Sequence, residues 1–171
     1  MERQAGPDGE RHYFPSEVYQ AAAEALDLAQ RADLLRTLPP GHWRLRAILP
    51  AVAGLNPDLY QHLLRRKDMR DHHLDPLRCE QVSAGWAELA IRAVQAGYAL
   101  AEVSRCGGRG GVFTGGRATR YQKVAEDWLA LRDHPDGRVR RMADIGRRYN
   151  LDLAKEMAEH DRLDRRVRDD L

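Results

Sequence analysis

A glycine- and arginine-rich segment, residues 106–119, contains the residue types that hold a phosphate or another anion. It reads CGGRGGVFTGGRAT, and six of its fourteen residues are glycine. Glycine lets backbone N–H groups approach a phosphate closely, and arginine pairs with phosphate through parallel hydrogen bonds. An aromatic ring in the segment could stack on a nucleic-acid base. The predicted binding residues in and just after this segment are Arg109, Phe113, Arg117, Arg120 and Lys123.

The segment differs from the known phosphate-binding loops. No Gly-Lys-Ser/Thr follows the glycines, and the preceding residues have a helical rather than a strand pattern, so neither nucleotide-binding motif matches. Glycine also destabilises a helix by its backbone entropy, so a plain connector with incidental arginines would have the same composition. Both interpretations stay open, and we predict no cofactor.

A second group of basic side chains lies on the helix predicted after this segment. The candidate binding residues there are Arg138, Arg140, Arg141 and Arg148. A row of guanidinium groups on one helix could bind an acidic partner. An ordinary solvent-exposed helix face gives the same pattern, so a binding row and an ordinary exposed face both remain open.

Potential metal ligands are concentrated between residues 62 and 79. They are His62, Asp71, His72, His73 and Cys79. Their spacing fits no standard zinc pattern because a second Cys or His pair is missing. We therefore predict no metal site.

Two of these positions carry a different resemblance. Arg66 and His72 are separated by five residues, and this spacing resembles the signature of HEPN ribonucleases, which are all-helical. The resemblance implies that these two side chains cut RNA at a dimer interface. Lys67 follows Arg66, where the family prefers Asn, Asp or His, so catalysis by Arg66 and His72 is the second alternative function.

The overall composition indicates one domain without a strong electrostatic preference. The chain has 171 residues and a formal net charge of +2, so it has no global attraction for nucleic acid. Only Lys67, Lys123 and Lys155 are lysines, which leaves 25 arginines among the 28 basic residues. Arginine codons are abundant in genomes rich in G and C, and we expect a bacterial protein.

The cysteine count and hydropathy indicate a reduced compartment. Cys79 and Cys106 are the only cysteines; two cysteines form no disulfide framework, and we detect no export signal. The most apolar run, residues 83–103, is interrupted by Glu88, Arg92 and Glu102. These charges exclude a membrane-spanning helix, so we expect a cytoplasmic protein that does not bind membranes.

Apolar periodicity and capping signals predict helices throughout the chain. We expect one helix over residues 15–38, a short helix over 43–55 that Pro50 kinks or splits, and a helix starting at Asn56-Pro57. Residues 65–73 are predicted as a loop. A long helix over 75–105, bent at Gly85 or Gly97, is predicted to be central and buried.

Two further apolar stripes predict a helical hairpin near the C-terminus. The first stripe includes Tyr121, Trp128 and Leu129, and the second begins at Val139 and includes Tyr149. Pro135 ends the first helix, and Asp136 caps the second through its carboxylate. Two striped helices joined by so short a turn pack against each other.

Residues 124–149 of this hairpin resemble one HEAT-type helical repeat. The matching positions are Asp133 and Pro135 in the turn, Val139-Arg140 at the start of the second helix, and Ala143. The resemblance implies a stacked helical surface that binds proteins or nucleic acids, without catalysis. Arrays of such repeats need about three units to be stable, and no further copies occur at a fixed period.

These observations predict an all-α protein with about six helices in antiparallel hairpins around a central helix at residues 82–100. The domain covers residues 13–160, with a flexible tail at 1–12, the Gly-rich loop at 106–119 and a charged extension at 161–171. We predict a non-enzymatic binding or scaffolding module, a subunit or fragment of a larger assembly. A protein partner is favoured, and nucleic acid bound by the arginine loop is the first alternative.

Overall fold

The fold is built of helices, as predicted. The computed structural model describes residues 16–41, 45–79, 81–108 and 116–169, and these residues contain helices and turns but no β-strand. The α-helices are α1 (Ser16–Glu24), α2 (Leu28–Thr37), α3 (Leu45–Ala53), α4 (Pro57–Leu64), α5 (Asp75–Cys79), α6 (Ala84–Gln95), α7 (Leu100–Ser104), α8 (Arg117–Asp127) and α9 (Gly137–Asp169). Two 3₁₀ helices cover Lys67–His72 and Trp128–Leu131.

The predicted helix over residues 15–38 is divided into α1 and α2. Asp27 caps α2: its carboxylate accepts from the Gln30 backbone N–H at 2.8 Å, and the Gln30 side chain accepts from the Asp27 N–H at 2.9 Å. This reciprocal pair is a capping box, which fixes a helix start. The apolar stripe continues across the break and conceals it.

The predicted helix over residues 75–105 is divided into α5, α6 and α7. Ser83 starts α6, with its hydroxyl accepting from the Trp86 N–H at 3.2 Å. Gly97 follows the end of α6 with φ +99°, a conformation that glycine adopts without a Cβ clash. Gly85, the other expected bend, lies inside α6.

The predicted split at Pro50 and the predicted loop at residues 65–73 were wrong. Pro50 lies inside α3 without splitting it, and the C-terminal carbonyls of Ala51 and Val52 accept hydrogen bonds from the Arg31 side chain. Residues 67–72 form a 3₁₀ helix rather than a loop. This helix is held because Met69 is fully buried in the core.

Helix α6 lies within residues 82–100, which were predicted to form the central helix. Its buried face consists of Trp86, Ala87, Leu89, Ala90 and Ala93, and α6 packs against α4, α5, α7 and α9. The small residues on this face allow neighbouring helices to approach closely. None of the described helices combines the length and apolar character needed to cross a membrane.

Helices α8 and α9 form the most extensive helix pair and frame the candidate site. The last residues of the first stripe adopt a 3₁₀ helix, Trp128–Leu131, which has about three residues per turn instead of 3.6. Trp128 and Leu131 are therefore buried, and Leu129, which the α-helical stripe placed in the core, is 47% exposed.

Candidate anion-binding cleft

The turn between α8 and α9 is fixed by Asp136, as predicted. Its carboxylate oxygen Oδ1 accepts from the Arg138 backbone N–H at 2.7 Å, and Oδ2 lies 2.6 Å from Arg138 Nη2. These hydrogen bonds from Arg138 lower the pKa of Asp136 to about 2. The ionised carboxylate therefore caps the first turn of α9.

Trp128 fills the space between the helix pair and the start of the Gly-rich segment. Its indole packs edge-on against Trp86, with ring centroids 5.0 Å apart. A Cβ atom added at Gly107 would lie 2.6 Å from Trp128 Cζ2, a separation too short for any larger residue. Gly107 is therefore required for packing.

Gly108 has a packing role of the same kind. Its φ is +77°, and an added Cβ would lie 2.1 Å from Val124 Cγ1 on α8. The first two glycines of the segment therefore bring its backbone close to α8, a role that involves no phosphate.

A cleft of about 310 Å³ opens beside this contact. It lies between the residues that follow α7 and the helix pair α8 and α9. Its lining is supplied in three groups, by Arg105, Gly107 and Gly108 after α7, by Arg120, Tyr121 and Val124 on α8, and by Tyr149, Asn150 and Leu153 on α9.

The charged side chains among the described lining residues are both basic. Arg105 and Arg120 contribute guanidinium groups, and none of the described lining residues is acidic. The Arg105 guanidinium carbon lies 5.8 Å from the centroid of the Tyr149 ring, within the range of a cation–π contact. The two arginines and the ring form a surface suited to an anion with a planar part.

Asn150 provides a fixed amide in the cleft. It is 5% exposed, and its Nδ2 donates to the Gly146 carbonyl at 2.8 Å. That bond orients the side chain along α9 and leaves the amide a second N–H and a carbonyl oxygen for hydrogen bonding.

The predicted loop residues are distributed unevenly around the cleft. Arg120 lines it, whereas Arg109 and Phe113 lie outside the described residues. Arg117 is exposed in the first turn of α8. Lys123 is also exposed, with its Nζ 3.9 Å from Asp127 Oδ1.

The predicted arginines of α9 fall into two groups. Arg138 is engaged by Asp136, and Arg140 donates to the carbonyls of His134 and Pro135 at 2.7 and 2.9 Å. Both therefore stabilise the turn. Arg141 and Arg148 are exposed on α9, and Arg148 Nε donates to the Asp144 carbonyl at 3.4 Å.

Arg66 and His72 have separate partners. Arg66 donates to the carbonyls of Leu35 and Leu38 at 3.2 and 2.5 Å, which ties it to the end of α2. His72 Nδ1 lies 2.8 Å from the buried carboxylate of Asp75. In the part of the chain that the structure describes, no three His, Cys, Asp or Glu side chains form a group that could hold a metal ion.

Four polar or aromatic residues of the cleft were absent from the predicted set: Arg105, Tyr121, Tyr149 and Asn150. The sequence placed Tyr121 and Tyr149 in apolar stripes, and both rings are half-buried at the cleft. The signal in the sequence that could have indicated this cleft is the position of Arg105 and Arg120, one at each end of the glycine-rich segment.

Compared with known proteins, the chain matches no family model, no curated protein and no solved structure.

Proposed function

We propose that this chain is a non-enzymatic helical binding module that holds an anionic group of its partner in the cleft between α8 and α9. The observation that carries the proposal is the pairing of Arg105 with Arg120 in a cleft whose described lining contains no acidic residue. Charge-assisted hydrogen bonds from arginine are among the strongest that a protein offers to an anion.

The surroundings of the cleft support an extended contact. Arg117, Arg141 and Arg148 are exposed on the same pair of helices, and their charges attract an anionic partner before it docks. The resemblance of residues 124–149 to a HEAT-type repeat agrees with a helix pair that presents a binding surface.

The test is a pull-down with the tagged full chain at moderate salt. The bound material is read by absorbance at 260 and 280 nm and by mass spectrometry. The variant Arg105→Ala/Arg120→Ala is compared with Arg36→Ala/Arg132→Ala, which removes the same charge from exposed positions away from the cleft lining.

We expect one partner to be retained by the wild type and by the control, lost from the cleft variant, and released by high salt because salt screens exposed charges. A partner that the cleft variant retains at wild-type level would contradict the proposal. A circular dichroism spectrum of each variant confirms that the helices are intact.

The second candidate function is RNA cleavage by His72 and Arg66, and one observation favours it. The Asp75 carboxylate accepts from His72 Nδ1, an arrangement that leaves Nε2 as a base in the neutral ring. His72 is partly exposed. Purified protein should then cut RNA, and His72→Ala should abolish cutting. Uncut RNA would remove this candidate.

A further inference from the structure

We infer that the anion held in the cleft is a nucleotide, that is, a phosphate ester joined to a planar base. This inference rests on the proposed function and makes it more specific. It depends on the size of the cleft, the positions of its two arginines, the tyrosine rings and the amide of Asn150.

The size of the cleft favours a compact ligand. Its volume of about 310 Å³ is near the lower limit of small-molecule sites, which range over roughly 300–1,000 Å³. A peptide helix is about 10 Å across with its side chains and would need a longer groove. One nucleotide unit, with phosphate, sugar and base, suits a site of this size.

The phosphate end is assigned to Arg105 and Arg120. They precede and follow the glycine-rich segment in the sequence, and both line the cleft. Guanidinium groups bind phosphate oxygens in pairs, and arginine is always charged at physiological pH. A phosphate between them would have a cation on each side.

The base end is assigned to Tyr149, with Tyr121 on the facing helix. The guanidinium carbon of Arg105 lies 5.8 Å from the centroid of the Tyr149 ring, so a base at this ring would be next to the phosphate contact of Arg105. A nucleobase is flat and stacks on tyrosine. Inorganic phosphate and an acidic side chain have no planar ring for these walls to contact.

Asn150 is positioned to contact the edge of a base. Its side chain is fixed by the 2.8 Å hydrogen bond to the Gly146 carbonyl, and it lines the cleft next to Tyr149. An oriented amide offers both a donor and an acceptor, and asparagine pairs in this way with adenine. We therefore use adenine nucleotides as probes.

A phosphate ester joined to a planar base is found in two kinds of ligand, a free nucleotide and a nucleotide within single-stranded nucleic acid. The experiment uses the full chain and three probes. AMP and pyrophosphate are titrated by calorimetry, and a labelled short oligoadenylate is titrated by fluorescence polarisation. If oligoadenylate binds more than about tenfold tighter than AMP, which is about 1.4 kcal/mol, the ligand is single-stranded nucleic acid; otherwise it is the free nucleotide.

Two tyrosine variants separate stacking from charge. Tyr149→Leu should weaken AMP binding about tenfold, since base stacking on an aromatic side chain has a value of this order, and should leave pyrophosphate binding unchanged. Tyr149→Phe keeps the ring and should bind AMP like the wild type. Arg105→Ala should weaken both probes about tenfold because it removes a charged phosphate contact.

The outcomes distinguish the two proposals. If pyrophosphate binds as tightly as AMP and Tyr149→Leu affects neither, the nucleotide inference is overturned while the anion-binding function stands. If no probe binds, and the tagged chain also captures no partner through Arg105 and Arg120, both are overturned. Tighter binding of a phosphotyrosine peptide than of any nucleotide would also overturn the inference.

Discussion

The indole of Trp128 lies against Gly146 so closely that a Cβ atom at Gly146 would be 2.2 Å from Trp128 Cε2. Gly146 is in the interior of α9, where glycine is normally unfavourable because of its backbone entropy. The contact explains its presence: α9 has no side chain at this position, and the tryptophan ring occupies the space. The same ring contacts Gly107, so Trp128 links α9 to the edge of the cleft.

Replacement of Gly146 by Ala should destabilise the fold, although alanine is the better helix former. The added methyl group overpacks the core against a fully buried ring, which costs about 1–3 kcal/mol. The free energy of unfolding is measured with urea. Gly137→Ala is the matched control, since its Cβ would be 3.5 Å from the Arg140 side chain, an ordinary contact. Equal stability of Gly146→Ala and the wild type would contradict this packing role.

Replacement of Arg66 by Ala should destabilise the fold because two carbonyls of buried residues lose their donor. Leu35 and Leu38 are 0% and 8% exposed, and an unsatisfied buried acceptor costs about 1–3 kcal/mol. Urea unfolding of Arg65→Ala, at the exposed neighbouring position, gives the comparison. Equal effects of the two substitutions would show that the carbonyl contacts contribute nothing. Any ribonuclease assay on an Arg66 variant must therefore be accompanied by a stability measurement.

The stability of the fold should decrease as the pH falls below about 6.5, and His73 should be one cause. Burial lowers the pKa of His73 below its ordinary value of 6.5, with a smaller contribution from the charge of Arg70. Nε2 faces the Arg66 carbonyl at 2.8 Å and must carry the proton, so Nδ1 of the neutral ring accepts from the Tyr98 hydroxyl at 2.9 Å.

The sign of this effect follows from the depressed pKa. The unfolded chain takes up the proton first as the pH falls. The contribution of His73 to stability is therefore complete above pH 6.5, and it is lost as the pH falls through the lower pKa of the folded state. His73→Gln retains a donor for the Arg66 carbonyl and cannot be protonated in this range. Urea midpoints at pH 7.5 and 5.5 should differ less in this variant than in the wild type. An unchanged difference would exclude His73 as a cause.

Local chemistry predicted several helix boundaries correctly, whereas tertiary packing decided the others. Asn56-Pro57 gave the start of α4, where Asn56 Oδ1 accepts from the N–H groups of Asp58 and Leu59. The capping box at Asp27 and Gln30 was equally local, and it was missed because the apolar stripe continued past it. Pro50 was expected to kink or split the helix, but α3 runs through it without a split and buries its ring.

The cleft was only partly predictable because its walls are distant in sequence. Arg120 was found from composition, since it follows the glycine-rich segment. Tyr149 is in an apolar stripe that looks like core, and no sequence pattern places it beside Arg105. Arg138 and Arg140 looked like a binding row, and the structure instead shows them bonded to the turn. Long arginine side chains reach backbone carbonyls that a sequence does not bring together.

The two packed tryptophans should differ in their tolerance of Phe. Trp86 Nε1 donates to the Leu77 carbonyl at 3.0 Å, whereas Trp128 Nε1 is buried with no hydrogen-bond partner among the described residues. Both substitutions leave a similar cavity, but Trp86→Phe also leaves the Leu77 carbonyl unsatisfied, and Trp128→Phe removes an unsatisfied donor. Urea unfolding should show Trp86→Phe to be less stable by about 1–3 kcal/mol. A larger loss of stability for Trp128→Phe would contradict this prediction. It would mean that the packing of the Trp128 indole contributes more than the difference in hydrogen bonding between the two tryptophans.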